Sequence, residues 1–512
     1  MKLELYSNGR TSATTSTNND EIAIIEQKEL SEPYTVFTKF QVFRILTIVS
    51  LTSMISPLTA SIYLPALNQI ELSLDVSTSK VNLTITTYMI FQAVSPAFWG
   101  TLADQWGRRP VLFCTMLIYC ATCVGLTFTE NYATLIILRM VQAFGSSSVV
   151  AVCAGVVGDI ADSKRRGSYF GVYSIGQLLG PPLGPVIGGI VTDKLSWRYF
   201  SCGVHKILNL NNNHTHKKIK KKKRWIFWIL FILGSLSLVF VGLFVPETLR
   251  ALVGNGSGYA NPTPRQWYAR HCRQTQVIIF DDQPRFKPIS FLKPFQYLLE
   301  KDVIIILMFS GLHFMSYYCF MVTTTKQFSL NFQLSTIQIG LCFLGLGGGT
   351  IVGSFLHGKI LDRDFKKVKS ERPDLELPYY YARLRSIWYC IICEQVLTLL
   401  YGWLYYIHAP LAVFLVLQFL VGYSASAIML CAQSLLIDLF PGKGASITAS
   451  NNLIRCLLSA IAVVCIEPGI EGIGIYWLFT IIGIILVISN ISVPILLKYG
   501  PEWNRCRAEK SR

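Results

Sequence analysis

The chain has 512 residues, of which 52% are hydrophobic and only 15% charged, with a mean hydropathy of +0.44. So little charge over so long a chain excludes a string of water-soluble domains and a largely disordered protein. The formal net charge of +17 suggests nucleic acid as a partner only until the basic residues are placed along the chain.

Residues 1–42 are polar, with a Ser/Thr/Asn-rich stretch at 11–20, and carry no signal peptide, so a disordered cytosolic tail is expected. Apolar blocks of the length needed to cross a hydrocarbon core then recur near 43–66, 80–102, 110–128, 134–157, 169–191 and 225–245. A polar stretch at 246–301 follows, whose run of Gly and Ser at 254–258 reads as flexible linker. Six further blocks lie near 302–324, 336–360, 386–407, 411–434, 445–467 and 474–497, before a tail at 499–512. Lipid offers the backbone no hydrogen-bond partners, so these blocks must be helices. The prediction is an all-α membrane protein of twelve transmembrane helices. Its two six-helix bundles, 43–245 and 302–498, are related by a pseudo-two-fold repeat and joined by a cytosolic linker. Most of the fourteen cysteines are scattered within the apolar blocks without metal-ligand spacing, and are expected to act as small apolar residues.

With the N-terminus placed in the cytosol, 32 of the 46 Lys and Arg fall on that side and 12 on the other, so both termini are expected in the cytosol. The charge then lies against anionic lipid, and nucleic acid is not needed to explain it. One segment breaks the rule. Eight of the 12 outside charges fall at 206–224, inside a stretch at 199–224 that also holds Asn209, Asn211, Asn212 and Asn213. Two explanations stand: a basic insertion between spans five and six, such as translated non-coding sequence, or a solvated outside loop.

The turn after span two holds Gly100, Asp104, Gly107, Arg108 and Arg109, and the turn after span eight holds Gly358, Asp362 and Arg363. Glycines permit a tight turn, and an acid beside arginines can latch one face shut. A second echo pairs Gly145 and Asp159 with Gly422 and Asp438. Two similar halves are the physical basis of alternating access about a central site. Span five carries Gly180, Gly184, Gly188 and Gly189 with Pro181, Pro182 and Pro185, a small-residue face for close packing together with kinks. Arg139 and Arg455 lie within apolar spans, where a charge costs at least ~2.5–3.5 kcal/mol and needs a partner or a watery cavity.

These motifs together resemble the major facilitator superfamily, and within it the fungal twelve-span drug:proton antiporters of the quinidine-resistance group. The turn at 100–109 is similar to the family's cytosolic gate motif, 138–145 to its buried-arginine motif, and 180–189 to its antiporter motif. Pro246, Glu247, Thr248, Leu249 and Arg250, with Asn451 and Arg455, fit the same pattern. The resemblance implies a plasma-membrane, proton-coupled antiporter that exports drugs, organic cations, polyamines or weak acids. Its energy source is the proton gradient; no cofactor is expected, and a monomer is. It also implies proton coupling at Arg139, and the same argument makes Arg455 a coupling candidate. Acidic partners are scarce: Glu394 is the acid well inside a span, as a proton site or a structural group, and His313 is either titratable or a packing histidine. Candidate substrate contacts are Tyr63, Tyr88, Gln92, Gln142, Gln177, Tyr317, Tyr318 and Asn451. Alternatives are a polyamine or metabolite exchanger, a transport-inactive sensor, or a product disabled by 199–224. No Walker-type nucleotide motif, catalytic triad or metal cluster is visible, so an enzyme is not expected.

Overall fold

The computed structural model describes residues 34–63, 78–129, 131–194, 214–273, 293–371 and 379–510. Residues 1–33 of the expected tail, and Asn209 and Asn211 to Asn213, lie outside the described residues. Every described element is helical.

The first half holds span one (Lys39–Ser61), span two (Thr78–Trp106), span three (Arg108–Thr127) and span four, whose two pieces Tyr132–Ser146 and Ser148–Ile160 meet at Ser147. Span five (Arg166–Lys194) and span six (His214–Phe244) complete it. The second half runs through span seven (Lys301–Phe332), span eight (Thr336–Glu371), span nine (Ile387–Tyr406), span ten (Leu411–Leu439) and span eleven (Gly444–Ile473). Span twelve consists of Ile475–Ser489 and Ser492–Lys510. Eleven helices are long and apolar enough to cross a membrane among the described residues; span two, 29 residues long, is the twelfth of membrane length.

Local sequence explains several ends. Thr38 accepts from the Gln41 amide at 3.3 Å, while the Gln41 side chain accepts from the Thr38 amide at 2.9 Å, a reciprocal cap that starts span one. Three prolines sit inside span five without breaking its single helix.

Three expectations change. The basic stretch is not wholly a loop: residues 214–224 are helical and extend span six by about 16 Å ahead of Trp225. The stretch at 254–258 is an ordered turn rather than a free linker. Positive φ at Gly254 and Gly256 lets the Gly256 and Gly258 amides close on the Val253 carbonyl, and Asn255 accepts from the Val36 amide at 3.1 Å. The C-terminal stretch is helix to Lys510, because Arg507 returns to the start of span seven. There it donates to Asp302 at 2.9 and 3.1 Å, and Tyr380 donates to the same carboxylate at 2.6 Å. Asp302 is buried, so removing its cation is costly. Arg507→Ala is expected to destabilise the second half by about 1.5–3 kcal/mol, read as a lower midpoint of thermal unfolding in detergent. An unchanged midpoint would show the helix to be only leaning on the bundle.

Packing between halves follows the repeat. Span two lies along span eleven, and span eight along span five. Gly180 and Gly184 receive span one so closely that a Cβ at Gly180 would lie 2.7 Å from Pro57 Cγ, and one at Gly184 2.7 Å from the Ile62 amide.

Candidate functional site

The two turns form mirror-image latches across the halves. Gly107, at φ +111°, turns the chain so that Arg108 opens span three and reaches back to Asp104. Arg108 is fully buried and also pairs through Nε with Asp159 Oδ2 at 2.9 Å. The second oxygen of Asp104 accepts from the Ser446 amide at 3.0 Å and from its hydroxyl, at the first turn of span eleven. Asp362 does the equivalent in reverse. It accepts from the Gly167 and Ser168 amides at 2.8 and 3.0 Å and from the Ser168 hydroxyl, at the first turn of span five. A carboxylate at a helix N-terminus satisfies orphan amides and meets the positive end of the helix dipole. Gly100 and Gly358 make these approaches possible, since a Cβ would sit 3.0 Å from the Ala445 carbonyl oxygen and 2.8 Å from that of Gly167.

The second echo holds for its acids and not for its glycines. Asp438, like Asp159, binds arginine: Arg383 through Nε at 2.8 Å, and Arg166 across the halves. Arg383 also reaches the Ser163 carbonyl in the first half at 2.9 Å. Gly145, however, packs on span three against the Thr115 carbonyl, whereas Gly422 packs on span eight against Leu346 and Thr350.

Sequence reasoning noted 246–250 without giving it a role. Glu247 accepts from the backbone amides of Arg108, Thr248 and Leu249 at 2.8, 2.9 and 3.0 Å, and from that of Arg109 at 3.3 Å. Arg109 in turn donates to the carbonyls of Gly242 at 2.7 Å and Asn261 at 2.9 Å. The end of span six is thereby clamped to the gate turn.

Midway along the spans lies a cavity walled by both halves. Its lining includes Gln92, Gln177, Phe314, Tyr318, Asn452 and Arg455, with Pro57 and Pro181. Gln92 stands 12 residues from Asp104, and Arg455 nine from Ser446, placing the cavity roughly 14–18 Å above the latches. That is about the mid-depth of a hydrocarbon core.

Arg455 is the cavity's charge. Its guanidinium donates to Asn452 Oδ1 at 3.0 Å and to the Gln177 amide oxygen through both terminal nitrogens, and lies 4.3 Å from the Phe314 ring centroid. Among the described residues no carboxylate lies within 4 Å of it.

Only three of the eight expected substrate contacts, Gln92, Gln177 and Tyr318, line the cavity. Tyr63 and Tyr88 instead sandwich Arg139, with ring centroids 4.1 and 4.4 Å from its guanidinium, and Gln142 accepts from it at 2.9 Å. The rings and the amide stand in for a counterion, which keeps Arg139 buried and off the cavity wall. Tyr317 is buried, donating to the Leu178 carbonyl at 3.2 Å. Asn451 points to Gln433 at 3.0 Å inside the second half, and its neighbour Asn452 lines the cavity in its place. One residue along a helix rotates the side chain by about 100°, so a one-residue error in facing is enough to explain the exchange. In span five, Pro181 reaches the cavity wall, while Pro185, Gly188 and Gly189 are buried in helix packing. Glu394 joins neither arginine: it pairs with His313 at 2.9 Å within the second half.

The Major Facilitator Superfamily model matches residues 49–463. The chain is 33% identical over 504 residues to "Citrate exporter 1" of Aspergillus niger, covering 94% of this chain and 91% of the relative. It is 30% identical over 517 residues to "Quinidine resistance protein 1" of Saccharomyces cerevisiae, covering 93% and 86%. Among solved structures, the proton:xylose symporter XylE superposes with a TM-score of 0.59 at 13% identity, covering 90% and 96% of the two chains. The human organic anion transporter MFSD10 superposes at 0.55 with 15% identity, covering 88% and 99%; at such identities the likeness is one of fold.

Proposed function

The chain belongs to the major facilitator superfamily, and from that membership we propose that it is a proton-coupled antiporter exporting small amphipathic molecules from the cytosol, organic acids foremost. It is a multi-pass membrane transporter. The observation that carries the choice of acids is Arg455, a mid-membrane cation on the cavity wall with no carboxylate within 4 Å among the described residues. A buried charge without a counterion is expensive, and a bound carboxylate would supply one. Likeness to a relative named a citrate exporter supports the same class. Organic cations form the second reading, favoured by the aromatic faces of Phe314 and Tyr318 and by relatives named for quinidine and multidrug resistance.

Orientation and address follow from charge and kinship. Tyr34, Arg507 and both latches lie at one end of the bundle; the bias of Lys and Arg supports a cytosolic place for that end, and the family resemblance supports a plasma-membrane address. In alternating access the latches then close the cytosolic side while the cavity exchanges with the outside.

The test places purified protein in liposomes with an imposed pH gradient and a pH-sensitive dye inside, and adds citrate, benzoate, spermidine and quinidine in turn. Proton flux that starts on adding an acid supports the assignment. Flux with quinidine or spermidine alone transfers it to cations, and transport that ignores the gradient removes proton coupling.

A further inference from the structure

We propose that His313 and Glu394 form the proton-binding unit of this transporter, set beside the substrate cavity and joined to it through span seven; the inference rests on the proton-coupled reading above. His313 Nδ1 lies 2.9 Å from Glu394 Oε2, and both side chains are wholly buried. Their other polar atoms, Nε2 and Oε1, are also buried and have no hydrogen-bond partner. His313 stands 11 residues along span seven from Asp302 at the gated end, so the pair lies about 16 Å deep. That is the depth of Arg455.

Elimination points to the same place. Arginine cannot be deprotonated in a protein, so neither Arg139 nor Arg455 can carry the proton. Asp104, Asp159, Asp438 and Asp302 are each held by an arginine, and Asp362 and Glu247 by backbone amides, all at the gated end. Glu467 and Glu471 are exposed beside Lys326. Among the described acids, Glu394 is the mid-membrane carboxylate whose partner can itself titrate.

A buried imidazole and carboxylate sharing one proton carry no net charge, whichever of them holds it. Losing that proton leaves a bare carboxylate, and gaining a second leaves a bare imidazolium, each costly in a dry site. The unit therefore keeps its proton until a conformational change admits water, which is what a coupled carrier requires. Its surroundings match. The Phe309 ring covers His313 at 4.7 Å, and the next residue along, Ser310, meets Met429 of span ten. The titratable groups nearby are the Cys390 and Cys393 thiols on span nine, backed by His357 of span eight and Cys431 of span ten. His313 directly precedes Phe314, the ring that stacks on Arg455, so a shift of span seven at one site is felt at the other.

The test records pH-difference infrared spectra of the purified full chain without substrate. A protonated-carboxyl band that titrates in the wild type, vanishes in Glu394→Gln and shifts in His313→Gln is expected. In liposomes with citrate as probe, Glu394→Gln should lose gradient-driven accumulation by roughly tenfold or more while citrate–citrate exchange at equal pH stays within about twofold. Intact exchange certifies the fold; where exchange fails in Glu394→Gln, His313→Gln is held to the same two criteria. A band untouched by Glu394→Gln, or gradient-driven accumulation surviving in either variant, overturns the proposal. Wild-type protein that moves citrate without regard to the gradient removes the antiport reading instead, leaving the infrared titration to decide whether the pair binds a proton.

Discussion

Asp104→Asn is expected to slow transport at least about tenfold while leaving the protein folded, because it releases the latch between span two and span eleven. Asp104 serves three donors at once: the buried Arg108 guanidinium, the Ser446 amide and the Ser446 hydroxyl. An Asn of the same size keeps an acceptor but loses the charge. The lost charge-assisted bond costs about 1.5–3 kcal/mol and the helix N-terminus about 0.3–1 kcal/mol more. At 1.4 kcal/mol per tenfold, the closed population falls by roughly 20- to 700-fold, enough to empty it in a cycle whose states differ by a few kcal/mol. Arg108 retains Asp159, which is why folding survives. Hydrogen exchange at the first turn of span eleven should quicken in the variant. Unchanged exchange and unchanged transport would demote the latch to a packing contact. Asp362→Asn should act in the same direction but more weakly. The same interface keeps Arg166 on Asp438 and Arg383 on the Ser163 carbonyl, and those contacts still tie the halves together.

The latches were legible in sequence because they are repeated: a Gly and an acid four residues apart, found twice after equivalent spans, mark a position that a packing accident would not duplicate. The span count was legible for a simpler reason, since a hydrocarbon core imposes its thickness on every crossing. Facing was not legible. Spans one, two and eleven are apolar on nearly all sides, so hydropathy does not say which side meets the cavity, and Tyr63, Tyr88 and Asn451, expected at the cavity, instead face partners inside their own halves. Long-range pairs were hidden for a related reason. Nothing in a single sequence joins His313 to Glu394 across 81 residues, or Glu247 to the amide of Arg108 across 139. The C-terminal helix was missed because Arg507 and Asp302, each ordinary in its own stretch, meet only once twelve spans are packed.

Arg455→Gln is expected to weaken citrate binding by roughly 10- to 150-fold, the equivalent of the 1.5–3 kcal/mol that a hydrogen bond to a charged group contributes. Four observations converge on this residue: it lines the cavity, it stacks on Phe314, its amide partners Gln177 and Asn452 are neutral, and no carboxylate within reach neutralises it among the described residues. Arg139 likewise has no carboxylate within 4 Å among the described residues, but it is wrapped between two tyrosines away from the cavity, so it is the place on the cavity wall that sets Arg455 apart. The contrast supplies the control. Arg139→Gln should lower thermal stability and leave the apparent affinity for citrate nearly unchanged, whereas Arg455→Gln should do the reverse. Arg455→Lys should fall between, keeping the charge but losing the planar fork that spans Gln177 and stacks on the ring. Quinidine distinguishes the two substrate classes: removing a positive charge from the wall leaves a cation no worse bound, so its transport should hold or rise in Arg455→Gln. An equal loss for citrate and quinidine would mean that Arg455 shapes the cavity for any occupant, and the preference for acids would have to be sought in another part of the bundle.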